Sequence, residues 1–174
     1  VYGNKGINGI LTADIVLNKD LMSKITIAED GTATVKDGKT VRSWTPIFKY
    51  INTDRNGYSG IFDGANHTVS GAYVNDSNGD YSSFFGLIEG ATIKNFGITD
   101  SYFRAKYTCA SFSGSAYSAT IINCFSEDCF VSGSYKVGGL IGYFKGGTGL
   151  NNYLVPETNC IKRHCLQSLF NSAT

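Results

Sequence analysis

The sequence predicts an all-β chain wound as a parallel β-solenoid of about five or six coils. Three observations carry this. A phrase recurs along residues 58–155, with its anchors Val69, Ile93, Ile121 and Leu150 set 24 to 29 residues apart. That period fits one coil of two or three short strands and is too short for a helical repeat or a propeller blade. Gly, Ser, Thr and Asn supply 67 of the 174 residues, and Ile outnumbers Leu 15 to 9, a balance that favours strands and tight turns over helices. Finally, 42% hydrophobic against 17% charged residues is enough apolar matter to bury a core, which excludes disorder. The 21 Gly and 2 Pro lack the three-residue period of collagen.

A chain of this length is expected to form one domain over residues 1–174, a fragment or a mature form. Residues 1–57 read as an N-terminal coil with a cap and an insertion. Gly9 to Leu17 form a strand with a bend, and Asp20 to Ser23 one helical turn. A hairpin-like insertion follows near residues 24–41. Its strands are Lys24-Ile25-Thr26-Ile27 and Thr32-Ala33-Thr34-Val35, joined by the turn residues Glu29-Asp30-Gly31. The hairpin is expected to project from the first coil, and Trp44-Thr45-Pro46-Ile47 to bring the chain back.

Residues 58–155 hold the repeat coils. Each begins with an apolar pair beside Gly, makes a turn, and continues as Thr-(Val/Ile)-x-(Asn/Gly)-apolar; Thr92-Ile93-Lys94-Asn95-Phe96 is the clearest copy. Coils stack about 4.8 Å apart, so equivalent residues touch. Ile93 should therefore lie over Val69 and under Ile121 and Leu150. Asn95 and Asn123 recur at one bend, with Asn152 beside it. Stacked Asn amides can bond along the axis, and Asn tolerates the left-handed backbone of a bend. Residues 156–174 lack the phrase and read as a short capping helix or a tail.

These phrases resemble bacterial cell-surface proteins that carry GLUG motifs. Gly139-Leu140-Ile141-Gly142 matches the motif, Ser83-Phe84-Phe85-Gly86 nearly does, and Ser111-Phe112-Ser113-Gly114 departs from it. Upstream, Leu11-Thr12-Ala13-Asp14-Ile15-Val16-Leu17, Trp44-Thr45-Pro46-Ile47-Phe48 and Tyr58 to Val74 match phrases of the same family in the same order, with Phe48 in place of its usual Gly. The resemblance covers about residues 9–155. It implies a right-handed parallel β-helix, adhesin-like, secreted or held at the bacterial cell surface. It implies no catalytic residues, so none is carried over.

The residues themselves point away from reaction chemistry. Fifteen Lys and Arg against fourteen Asp and Glu form no basic stripe along the sequence, which argues against a nucleic-acid partner. No apolar run reaches the roughly 18 residues of a membrane span. His67 sits inside a strand phrase. His164 lies near Cys160 and Cys165, without an evident third group to orient a dyad. Asp100 and Asp128 each follow their Asn by five residues and could face each other on adjacent coils. That pair is the basis of the alternative reading, a glycan-active β-helix enzyme. Asp76-Ser77-Asn78-Gly79-Asp80 begins like a calcium loop but has Leu87 where the bidentate Glu belongs. Gly142 to Thr148 lacks the Lys-Thr pair of a phosphate loop. Thr32-Ala33-Thr34 does not recur with the coil period, as an ice-binding ladder would. No metal site and no cofactor is predicted.

The five Cys all lie in the second half, without zinc spacing. Either they are buried thiols, or one disulfide forms; in that case Cys129 and Cys160 are the pair, meeting across adjacent coils. The many tyrosines are the remaining feature. Most should pack or lie half-buried, while Tyr102, Tyr107, Tyr135 and Tyr143 are the candidates for an exposed stripe. The expected function is non-catalytic binding of a glycan or a host or cell-surface protein, with a stalk that displays another domain as the alternative.

Overall fold

A computed structural model describes residues 4–48 and 57–154, together with the backbone of two further strands at 159–162 and 170–172. The chain is a β-solenoid of about three turns. Strands β1 (Gly9–Ile10) and β2 (Ile15–Val16) precede a four-residue helix, α1 (Leu21–Lys24), and an antiparallel hairpin of β3 (Ile25–Ile27) and β4 (Ala33–Val35). The first full coil is β5 (Ile61–Ser70), β6 (Tyr73–Asn75) and β7 (Phe85–Glu89). The second is β8 (Thr92–Thr99), β9 (Tyr102–Arg104) and β10 (Ser113–Tyr117). The third is β11 (Thr120–Glu127), β12 (Phe130–Gly133) and β13 (Ile141–Lys145). Beyond them, β14 (Thr148–Leu150), β15 (Tyr153–Leu154), β16 (Asn159–Lys162) and β17 (Phe170–Ser172) add one strand rung to each of the three faces. Every pairing between coils is parallel.

The expected five or six coils are thus corrected to about three. The N-terminal residues account for much of the difference. They supply only β1 and β2 on the first face, then Trp44, Ile47, Phe48 and Tyr58 as single backbone contacts below the second and third faces. The stretch between them is spent on α1 and the hairpin. Asn18 closes this excursion at its base: its amide donates to Arg42 O and Gly71 O, and its Oδ1 accepts from Arg42 N. Past residue 155, where the phrase stops, β16 and β17 still form, since a rung needs backbone pairing more than a particular phrase.

The alignment of anchors holds for Ile93 over Ile121. It shifts elsewhere. Ile93 stacks on Phe62, while Val69 stacks on Ile98, and Leu150 pairs with Ile122. Thr68-Val69 lies past the bend of β5, whereas Thr92-Ile93 and Thr120-Ile121 precede the bends of β8 and β11, and Gly149 rather than Leu150 is the partner of Ile121. The register also shifts between Asp63 and His67, where β5 bends through two left-handed residues, Ala65 (φ 49) and Asn66 (φ 66); β8 and β11 bend through one each, Asn95 (φ 51) and Asn123 (φ 53).

Inside the coils, Phe62, Phe84, Phe85, Phe96 and Phe112 meet edge-on or tilted around Ile93, Ile121, Leu140 and Ile141. The Gly-Leu-Ile-Gly phrase turns the chain into the third face. Leu140 and Ile141 are wholly buried, and a Cβ on Gly142 would lie 2.7 Å from the carbonyl oxygens of both Gly114 and Lys136. Only glycine fits there.

The hairpin does not project. It lies on the outer side of the β6–β9–β12 face, where Leu21, Ile25 and Ala33 bury the stacked rings of Tyr73, Tyr102 and Phe130. The apolar alternation of its strands gives the reason: a free hairpin would leave that face in water.

Candidate functional site

The four tyrosines singled out from sequence divide into one core residue and three surface residues. Tyr102 is fully buried between Tyr73 and Phe130, and its hydroxyl donates to Gly31 O at the hairpin turn. Burial pushes its phenol well above the ordinary value. Tyr102 therefore packs the hairpin onto the sheet and offers no surface to a ligand. The sequence could not separate it from the others, because the element that covers it lies about 70 residues earlier.

Tyr107 and Tyr135 stand at the corner that follows the second face, 46% and 63% exposed. They occupy successive coils: Tyr135 N donates to Tyr107 O at 3.1 Å. Ser134 Oγ reinforces the same corner by donating to Lys106 O. Tyr143, half-buried at the start of the third face, meets Tyr117 edge-on with centroids 5.7 Å apart. Between Tyr135 and Tyr143 lies Lys136, its Nζ 3.4 Å from the Tyr143 ring centroid and 5.3 Å from that of Tyr135. Lys106 Nζ sits 4.9 Å from the Tyr107 centroid. Each ammonium is thereby held against a π face. The two lysines were missed in the sequence, although Lys106-Tyr107 and Tyr135-Lys136 carry the signal: two Lys/Tyr neighbours separated by the coil period.

Beside this corner, a cleft of about 720 Å³ runs between the hairpin turn and the second face. Asp30 lies on the hairpin side; Arg104, Lys106, Tyr107 and Ser134 lie on the coil side. Arg104 Nη2 is 3.9 Å from Asp30 Oδ2. The Asp30 carboxyl is held below the ordinary range, chiefly because it accepts from the Thr32 hydroxyl and then from Thr32 N.

Most of the other candidates are occupied in structural bonds. Asp100 and Asp128 do line one groove, with Met22, Ile25, Ile27 and Phe130. Both oxygens of Asp100 accept amide protons at the start of α1, from Leu21 N at 2.6 Å and Met22 N at 3.0 Å. Asp76 accepts from Asn78 N and Gly79 N, and Asp80 from Tyr81 N and Thr108 N, so both acids of that loop serve turns. His67 Nδ1 lies 3.3 Å from Asp14 Oδ1. Cys124 and Cys129 are buried thiols that donate to the carbonyls of Ile122 and Glu127; burial pushes each up to about 12, far from a reactive thiolate. The expected pairing of Cys129 with Cys160 lies outside the described residues on the Cys160 side. The backbone register sets Cys160 beside Val131. His164 and Cys165 also lie outside them.

No helix among the described residues is long and apolar enough to cross a membrane. Compared with family models, curated proteins and solved structures, the chain finds no match.

Proposed function

We propose that the chain is a non-catalytic binding module of an extracellular bacterial surface protein, and that it holds a glycan at the Tyr107–Tyr135–Tyr143 corner. One observation carries this reading: two exposed tyrosine rings repeat on successive coils, each with an ammonium against it, beside an open cleft. Exposed aromatic rings on a rigid scaffold give contact area at low entropic cost, and their hydroxyls supply polar ends. The GLUG-like phrases support a surface location. We take the winding to be right-handed, as the connections between parallel strands nearly always are. The enzyme alternative loses support because Asp100 caps α1 with both of its oxygens.

The test is a glycan array with the wild-type chain and the Tyr107→Ala/Tyr135→Ala double variant. Saturable binding that weakens at least tenfold in the variant, with an unchanged β-rich circular dichroism spectrum, is expected. A wild-type chain that binds no glycan overturns the reading and leaves the stalk.

A further inference from the structure

We infer that the outer edge of the hairpin takes up an extended peptide, with apolar residues at alternate positions and a basic residue at one end, added as a third strand beside β3. The hydrogen-bond pattern of the hairpin leaves that edge open. Ala28 N donates to Thr32 O and Lys36 N to Lys24 O, and the register pairs Thr26 with Thr34 midway between them. Bonded pairs alternate with pairs whose N–H and C=O point outward, so Ile25 and Ile27 turn both groups away from β4. Among the described residues nothing pairs with them on that side. The opposite edge is closed, since Asn75 Nδ2 on the first coil donates to Ala33 O at 3.1 Å. The open edge therefore faces the third coil, and it offers two donors and two acceptors to an incoming strand. Native sheets shield such an edge with Pro, an inward charge or a bulge; Ile25-Thr26-Ile27 has none of these.

Beside this edge a groove of about 730 Å³ separates the hairpin from the third coil. Ile25 and Phe130 are buried in its floor, while Met22 and Ile27 are half-buried and leave apolar surface open. An added strand turns every second side chain into the groove, so apolar residues at alternate positions fit it. The charge of the groove is one-sided: among the described residues, its charged groups are Asp100 and Asp128, both acids. Asp100 is committed to the amides of Leu21 and Met22. Asp128, at the equivalent bend one coil on, is exposed and has neither a hydrogen bond nor an ion pair among the described residues. An ammonium or guanidinium on the incoming peptide supplies the missing counter-charge. An acidic segment would instead meet two carboxylates.

The experiment measures, by fluorescence anisotropy, the binding of the labelled peptide Lys-Val-Thr-Val-Thr-Val-Lys and of its counterpart with Glu at both ends. Wild type is compared with Asp128→Asn, Ile27→Pro and Tyr107→Ala/Tyr135→Ala. Asn tolerates the left-handed backbone at position 128, and a proline at 27 removes an outward N–H while leaving the bonds to β4 in place. The Lys peptide should bind saturably, weaken at least fivefold in Asp128→Asn and at least tenfold in Ile27→Pro, and bind the tyrosine variant unchanged. The same peptide N-methylated along its centre, which cannot donate, should not bind the wild type; this arm does not depend on how Ile27→Pro folds. A Lys peptide that leaves the wild type unbound overturns the proposal. Equal binding of the Glu peptide overturns the basic residue, undiminished binding of the N-methylated peptide overturns strand addition, and a loss in the tyrosine variant moves the peptide to the tyrosine corner and overturns the site.

Discussion

Asn123 donates its side-chain amide to Oδ1 of Asn95, one coil below, at 3.0 Å. The bond belongs to a ladder. Asn151 donates to Asn123 at 3.2 Å, and Asn95 donates to Asp63 Oδ1 at 3.1 Å. Every amide points the same way, toward the first full coil, where a carboxylate that can only accept ends the series. The three Asn all have φ near +50°. Each therefore serves twice, as a left-handed bend and as a rung.

The two roles separate by substitution. Asn123→Ala loses the bonds to both neighbours and puts an unsuited side chain at positive φ, which together should destabilise the fold by about 2 kcal/mol. Asn123→Gly relieves the backbone and loses only the rung, so about 1 kcal/mol is expected. Urea midpoints of the two variants check this. Equal losses would mean that the backbone conformation contributes nothing.

The end of the ladder should be sensitive to acid. Asp63 is held below the ordinary 3.8 chiefly by Ala65 N, then by Lys94 Nζ at 3.0 Å and by Asn95. The fold binds this proton less readily than the unfolded chain does. Its stabilisation is therefore complete above the ordinary carboxylate value and is lost as pH falls through the lowered one. Asp63→Asn keeps an acceptor but removes the titration. The wild type should lose stability relative to Asp63→Asn as the pH falls from about 5 to about 2, read from urea midpoints at each pH; parallel curves would show that Asp63 is not the group involved. Asp14 and Asp30, also lowered, titrate in both chains and cancel.

Tyr102 should prove to be a fastener. Tyr102→Phe removes the hydroxyl that donates to Gly31 O and should cost about 1 kcal/mol. Tyr102→Ala removes the ring from between Tyr73 and Phe130 and should cost about 3 kcal/mol or more. Hydrogen exchange over Ile25–Val35 is the informative readout: it should quicken in both variants before the coils themselves open. Quickening in the coils first would place the weak point elsewhere.

Much of this fold was legible because a solenoid repeats its constraints. The Thr-Ile-x-Asn phrase located a strand, an inward Ile and a left-handed bend, and the structure places Ile93 on Ile121 and Asn95 under Asn123 accordingly. Asn152 lies beside the bend: Asn151 makes the rung, while Asn152 accepts from Cys124 N and donates to Ile121 O. The first coil misaligned because its Thr68-Val69 phrase lies past the bend of β5, where it mimics the Thr-Ile phrase that precedes the bend in β8 and β11. The site was less legible for a different reason. Tyr107, Lys106, Lys136 and Arg104 come together only after the coil closes, and the burial of Tyr102 depends on a hairpin remote in sequence. Periodicity reports neighbours along the axis; it is silent on what crosses the faces from outside.

The hairpin also changes how the molecule can come apart. In a bare stack each coil touches only the next, so coils can peel away one at a time from an end. Here one external element grips Tyr73, Tyr102 and Phe130, a ring from each of the three full coils. Detaching any one coil also costs contacts made with that shared strap. The three coils are thereby joined in parallel as well as in series, and the unfolding of a short solenoid becomes a single cooperative step.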